Sequence, residues 1–255
     1  MNRAVASSLA LFLFLFVSQF ELKAQSESSA VEILNSDANT KIGEKQYTAA
    51  IGLLNKAIEI DPDFAKAYIN IGTAFFFAGE LDKAVTHLKK GVQLRPDYYE
   101  GFNQLGVVYA EQGKLDLAAE SLKKALNLKP DYAMGLYNLG TVYSRAKKLK
   151  PAIAAFEKAK PLAPENDKIR FNLGVLYARQ SNFDQAITEL KTVTSTAPAD
   201  DEAQLVLCQV YLLANDRDSA IGLYRAVKNA NIPLAEKMFR SIASGKVIYA
   251  GNAVR

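Results

Sequence analysis

Five prolines, Pro62, Pro96, Pro130, Pro164 and Pro198, stand 34 residues apart, and a fixed period of that length restricts a chain to folds built from repeated supersecondary units. Proline cannot continue a helix, so each one marks a point where an element stops. With each proline at position 32 of a 34-residue unit, units begin at Val31, Ala65, Tyr99, Ala133, Asp167 and Asp201. Position 20 is then alanine every time, as Ala50, Ala84, Ala118, Ala152, Ala186 and Ala220. Position 8 is small every time, as Ala38, Gly72, Gly106, Gly140, Gly174 and Cys208.

Within a unit two helical patterns alternate with turn chemistry. Leu136, Leu139, Gly140 and Tyr143 fall at i, i+3, i+4 and i+7, one face of a first helix, and Ala152, Phe156 and Ala159 form the matching face of a second. Gly79 and Gly113 at position 15 suit a left-handed residue that ends the first helix, a place taken later by Lys147, Ser181 and Asn215. Asp63, Asp97 and Asp131, just after their prolines, are expected to cap the following helix. Small residues at positions 8 and 20 let two antiparallel helices approach closely while large ones interlock around the contact.

A helical hairpin cannot bury both faces alone, so the expectation is a stack in which each unit touches its neighbours. The ends differ accordingly. Asp37 and Lys41 occupy places that are apolar or aromatic in other units and give a solvated start. Beyond the sixth unit, Phe239, Ile242 and Ala243 fit the stripe of one more first helix, expected as a cap over about 233–246, its core 234–245, with Lys246 closing it. The organisation read from this is a short linker at 25–30, six repeats over 31–232 (31–64, 65–98, 99–132, 133–166, 167–200 and 201–232), the cap, and a flexible tail at 247–255.

Segments such as Leu139-Gly140-Thr141-Val142-Tyr143 and Leu173-Gly174-Val175-Leu176-Tyr177 resemble the tetratricopeptide repeat (TPR) family over about residues 31–232. The resemblance implies an all-α, right-handed superhelix of six helix-turn-helix repeats plus a C-terminal capping helix. It also implies a concave surface, lined by first helices, that takes an extended peptide or a partner helix. Some family members grip a terminal carboxylate with a five-residue clamp of Lys and Asn. Units three to five offer Asn138 and Lys168 but place Asn103, Val107 and Asn172 where the clamp's other residues belong, so the clamp is incomplete.

On the first helix, positions 2, 6, 9 and 13 point away from the expected core positions 4, 7, 8 and 11. Position 6 reads Asn70, Gln104, Asn138 and Asn172 in consecutive units, an expected row of amides able to hydrogen-bond the main chain of an extended ligand. Asparagine is a poor mid-helix residue, so solubility alone would favour Glu, Lys or Gln there. Four amides contribute only about 2–6 kcal/mol before ordering costs. Side-chain burial must supply the rest, and Phe76, Phe77, Tyr137 and Phe171 are the candidate anchors, with Arg145 and Arg179 candidates for a ligand carboxylate.

Composition bears on which chemistries are available. One cysteine (Cys208) and one histidine (His87) leave no disulfide, no Cys/His metal cluster and few parts for nucleophilic catalysis. Cys208 fills the small position 8 and reads as a packed thiol, and His87 as a surface residue of a second helix. A formal net charge of +4 is too small and dispersed for a nucleic-acid stripe. Met1-Asn2-Arg3 followed by the apolar run Leu9 to Val17 reads as a secretory signal peptide over 1–24, cleaved after Ala24. An uncleaved anchor is the alternative, which the shortness of the run disfavours.

The functional expectation is a non-enzymatic, cofactor-free and metal-free scaffold or adaptor that binds other proteins, periplasmic or secreted, without nucleic-acid or membrane partners once the leader is removed. The alternatives are an envelope assembly factor resembling TPR pilotins but lacking their lipidated cysteine, and a regulatory subunit of an enzyme complex.

Overall fold

The computed structural model describes residues 25–244. The expected leader (1–24), the end of the expected cap and the expected tail (247–255) lie outside the described residues. Among the described residues the regular structure is wholly helical, with no strand. The helices are α1 (25–43), α2 (Tyr47–Ile60), α3 (Ala65–Phe77), α4 (Leu81–Leu94), α5 (Tyr99–Glu111), α6 (Leu115–Leu128), α7 (Ala133–Arg145), α8 (Leu149–Ala159), α9 (Asp167–Arg179), α10 (Phe183–Thr196), α11 (Asp201–Leu213), α12 (Arg217–Val227) and α13 (Ile232–Ser244). A single 3-10 turn, Lys160–Leu162, carries Pro161 after α8. First helices α3, α5, α7, α9 and α11 each begin on position 1 of a unit. Residues 25–30, expected as a linker, are helical and form the start of α1.

The chain divides into two units, with the boundary between Gln112 and Gly113. In the first, α3 packs on α4, and α2 and α5 pack on their sequence neighbours α3 and α4. Its core joins Val31, Ala38, Ala50, Leu54, Ala57, Ala67 and Ile71. In the second, α7 pairs with α8, α9 with α10 and α11 with α12, and each hairpin packs on the next.

The small positions do what the spacing predicts. All six position-20 alanines are fully buried. A Cβ on Gly72 would lie 2.6 Å from Cγ of Leu88, and one on Gly174 the same distance from Cγ of Leu190. On Gly140 it would meet the ring of Phe156 at 2.9 Å. Hydrogen is thus the only substituent these contacts leave room for.

The first helices end as expected. Lys45, Gly79, Gly113, Lys147, Ser181 and Asn215, all at position 15, have φ between 58° and 81°. The chain then closes a Schellman-type turn, with Lys148 N donating to Tyr143 O at 2.8 Å and Asp216 N to Tyr211 O at 2.8 Å.

The capping expectation is corrected by one residue. The N-cap places of α3, α5 and α7 belong to Phe64, Tyr98 and Tyr132, which make no side-chain cap bond. A cation covers each ring instead: Lys66 at 5.9 Å over Phe64, Arg95 at 4.9 Å over Tyr98 and Lys129 at 6.0 Å over Tyr132. Polar caps appear only later, where Asn166 accepts from Lys168 N, Asp200 from Ala203 N and Asp216 from Ser219 N.

The stripe on α13 is corrected too. Leu234, Ala235, Met238, Ser241 and Ile242 are its buried residues, whereas Phe239 is 56% exposed and Ala243 faces solvent. Phe239 instead meets the Tyr224 ring at 6.1 Å.

Candidate functional site

Positions 2, 6, 9 and 13 are at least partly exposed on α3, α5 and α7, whereas positions 6 and 9 are buried on α9 (Asn172, Val175) and α11 (Val206, Gln209). In the first unit α3 offers Lys66, Asn70, Thr73 and Phe77, and α5 offers Glu100, Gln104, Val107 and Glu111. Lys66 bridges back to Glu32 on α1 at 2.7 Å.

The amide row is partly spent within the protein. Asn70 Nδ2 donates to Oδ1 of Asn35, 35 residues earlier, at 2.7 Å. Position 6 of one repeat therefore meets position 5 of the repeat before it. The same offset recurs in the second unit, where Asn172 hydrogen-bonds the Tyr137 side chain. Burial raises the Tyr137 pKa, and hydrogen bonds from Thr141 and Asn172 oppose that rise.

For Gln104 the residue at this offset is Ile69, which has no polar group to offer, and Gln104 forms no side-chain hydrogen bond among the described residues. Gln104 and Asn138 are half-buried, but Asn172 is only 1% exposed. Asn172 is thus a contact between repeats rather than part of an open face.

The expectation for Phe171, at position 5, is corrected for the same reason. Ile69, Asn103 and Phe171 are buried, and Phe171 is no surface anchor. Ile69 shows what the position does: its Cδ1 fills the space in front of Gly91 on α4 and Gly101 on α5. Tyr137 is half-buried and packs edge-on against Phe156 at 5.7 Å. Arg145 is exposed and Arg179 half-buried at the ends of α7 and α9.

One exposed apolar surface in the first unit is aromatic. Phe77, 55% exposed, stacks on Tyr47 with ring centroids 6.1 Å apart and an 18° interplanar angle. Phe76 leans on Phe77 at 5.3 Å. Phe76 and Phe77 thus occupy the end of the α3 stripe, with Thr73 and Asn70 on the turns before them. His87 is not a bare surface residue: its ring lies 5.2 Å from Phe75, and Nδ1 pairs with the Lys83 carbonyl at 2.9 Å.

Sequence reasoning missed an ionic cluster in the second unit. Glu189, 8% exposed, takes Lys160 at 2.9 Å and Arg170 at 3.0 Å. Lys160 also reaches Glu157 at 2.9 Å, and the Tyr177 hydroxyl donates to Glu157 at 2.6 Å. Burial alone would raise the Glu157 pKa, yet these hydrogen bonds and the charges of Lys160 and Arg170 outweigh it and hold the carboxyl below its usual 4.5. Burial and donation to Glu157 together push the Tyr177 pKa up. The available signal was Arg170, a charge at position 4, where Leu136 is a core residue.

No group of three or more His, Cys, Asp or Glu able to hold a metal occurs among the described residues. No described helix is long and apolar enough to cross a membrane.

Family models described as TPR repeat match residues 43–79, 72–113 and 108–147, and models described as tetratricopeptide repeat match 135–166 and 177–231. The chain belongs to the tetratricopeptide repeat family. Solved structures carry the same fold. That from a functional characterisation of Pseudomonas aeruginosa pilF is 20% identical, with a TM-score of 0.74 over 86% of this chain and 99% of that one. YrrB, described as a TPR protein with an unusual peptide-binding site, is 23% identical, with a TM-score of 0.65 over 73% of this chain and 97% of that one. MamA of Desulfovibrio magneticus RS-1 is 22% identical, with a TM-score of 0.60 over 68% and 97%. No curated protein matches the chain. At these identities the likeness is one of fold: an all-α TPR solenoid, which supports a scaffold for protein–protein interaction.

Proposed function

We propose that this TPR protein is an adaptor of the cell envelope or exterior that holds an extended peptide segment or helix of a partner on its first-helix face. The observation that carries the reading is the exposed Phe77 ring at the end of the α3 stripe, set against the half-buried rings of Tyr47 and Phe76. Large aromatic side chains left uncovered beside half-buried amides and hydroxyls provide what a peptide site needs, apolar anchorage with directional polar contacts. Gln104 supplies an amide not spent between repeats. In the second unit Asn138, Thr141 and Arg145 stand at positions 6, 9 and 13 of α7, with Tyr137 beside them at position 5. YrrB, with its described peptide-binding site, is a precedent on the same fold.

Phe77→Ala combined with Gln104→Ala tests the site. Captured partners should be lost or weakened at least tenfold while the melting curve is retained. Equal retention by wild type and variant refutes it. Export rests on the leader-like first 24 residues. N-terminal sequencing of protein from the exported fraction should begin at Gln25, and material retaining Met1 in the cytoplasmic fraction would overturn that part.

A further inference from the structure

The second-helix side of the second unit consists of valleys, each floored by a first helix and walled by the second helices on either side. Three are described, and they differ. Between α6 and α8 the floor is Leu136, Leu139 and Tyr143 of α7, and the α8 wall carries the small residues Pro151, Ala154 and Ala155. This leaves an open groove of about 410 Å³. Between α10 and α12 the floor is Leu207 and Tyr211, the far wall carries Ser219 and Gly222, and the groove is about 340 Å³. Between α8 and α10 lies the ionic cluster of Lys160, Glu157, Arg170, Glu189 and Tyr177. The middle valley is filled from within and its neighbours are not.

The chemistry of the larger groove selects its occupant. Its lining is aliphatic and aromatic apart from Asn127 and Lys158, and it contains no carboxylate. Lys123 stands over the Tyr143 ring at 5.9 Å, adding a second cation at the rim. The carboxylates of α6 and α8 are already neutralised, Asp116 by Lys148 at 3.3 Å, Glu120 by Lys124 at 2.9 Å and Glu157 by Lys160 at 2.9 Å. α7 has none. The apolar floor therefore sits under lysines whose charge nothing in the groove offsets. The smaller valley repeats the arrangement, lined by Lys191 and no carboxylate.

We propose that the α6–α7–α8 valley is a second docking site, on the side opposite the first-helix stripe, for an acidic amphipathic helix of a partner protein. Aliphatic side chains of that helix, spaced i and i+3 or i+4, sit on Leu136, Leu139 and Tyr143, while its flanking carboxylates meet Lys123 and Lys158. The adjoining ionic cluster closes the next valley to such a helix.

The test uses the protein lacking its leader and a synthetic helical peptide bearing leucine on one stripe and glutamate beside it, with a twin in which every glutamate is lysine. The glutamate peptide should bind with a Kd on the order of 10–100 µM, more weakly as salt is added, and the lysine twin should not bind. Ala154→Phe fills the groove and Lys158→Glu reverses its charge, and each should weaken binding at least tenfold. Both positions are exposed, so circular dichroism should stay unchanged, and should Ala154→Phe fail to fold, Lys158→Glu decides alone. Phe77→Ala should leave this binding untouched. The proposal is overturned if neither peptide saturates by about 1 mM, if the twins bind equally, if the valley variants bind like wild type, or if Phe77→Ala abolishes binding.

Discussion

Gly140→Ala puts the close approach of α7 and α8 to a quantitative test. The added Cβ would stand 2.9 Å from three atoms of the Phe156 ring, where ordinary contact begins near 3.4 Å. Phe156 is fully buried and flanked by Tyr137, so the ring cannot simply swing aside. Relieving the overlap means separating the helices by roughly half an ångström or moving the ring off its rotamer, an overpacking cost of about 1–3 kcal/mol. Alanine returns about 0.5–1 kcal/mol through its better helix propensity, leaving a net loss of about 1–2 kcal/mol. Gly140→Leu should be worse. Gly52, inside α2 with nothing within 4 Å of its would-be Cβ, is the internal control, and Gly52→Ala should stabilise by about 0.5–1 kcal/mol. Phe156→Leu shortens the opposing side chain and should relieve the clash, so the double variant with Gly140→Ala should be about 1 kcal/mol more stable than additivity allows. Urea melts followed by circular dichroism measure all five. A Gly140→Ala protein as stable as wild type, or strict additivity with Phe156→Leu, refutes the close approach.

Lys147→Gly should stabilise by about 0.5–1 kcal/mol, because Lys147 is held at φ 58° where a Cβ is unfavourable, and an unchanged urea midpoint would count against that conformation. Glu157 has its pKa lowered on folding, so its contribution is present above the unfolded value of 4.5 and is lost as pH falls through the lower folded value. Melting temperature should drop over that acid range, and Glu157→Gln should flatten the drop. An equal slope in both proteins would contradict the cluster. Burial pushes the Cys208 thiol up to about 11, so an alkylating reagent at neutral pH should label it only after denaturation, and rapid labelling of folded protein would show the thiol is accessible.

The hairpins were legible because they rest on local rules: a helix-stopping proline repeated five times, and, six times each, an alanine and a small residue at the helix crossing and a left-handed position between helices. What could not be read belongs to relations between repeats. A helical wheel places position 5 beside position 6 but does not show that the previous repeat stands there, so Phe171 and Asn172 read as surface when they are interior. Asp63, Asp97 and Asp131 looked like caps because their chemistry fits, while Phe64, Tyr98 and Tyr132 held the place through ring packing against a cation. The stripe of α13 was misassigned by one residue because it was set to follow Pro233, which falls one place late, whereas the unshifted 34-residue period puts positions 4, 7 and 8 at the buried Met238, Ser241 and Ile242. The ionic cluster was hidden because its members lie on three helices, and only folding brings Arg170 onto Glu189.

That cluster also makes the six modules unequal. Residues 167–200 carry Arg170 and Glu189, and their cationic counterpart Lys160 lies in the preceding module. Transplanted behind the first, second or third module, which carry Ile58, Val92 and Leu126 where the fourth has Lys160, the fifth would strand a nearly water-free carboxylate short of one cation, a loss of roughly 1–3 kcal/mol. The order of the modules is thus written into their charges, and a shuffled array of the same six would be a weaker protein.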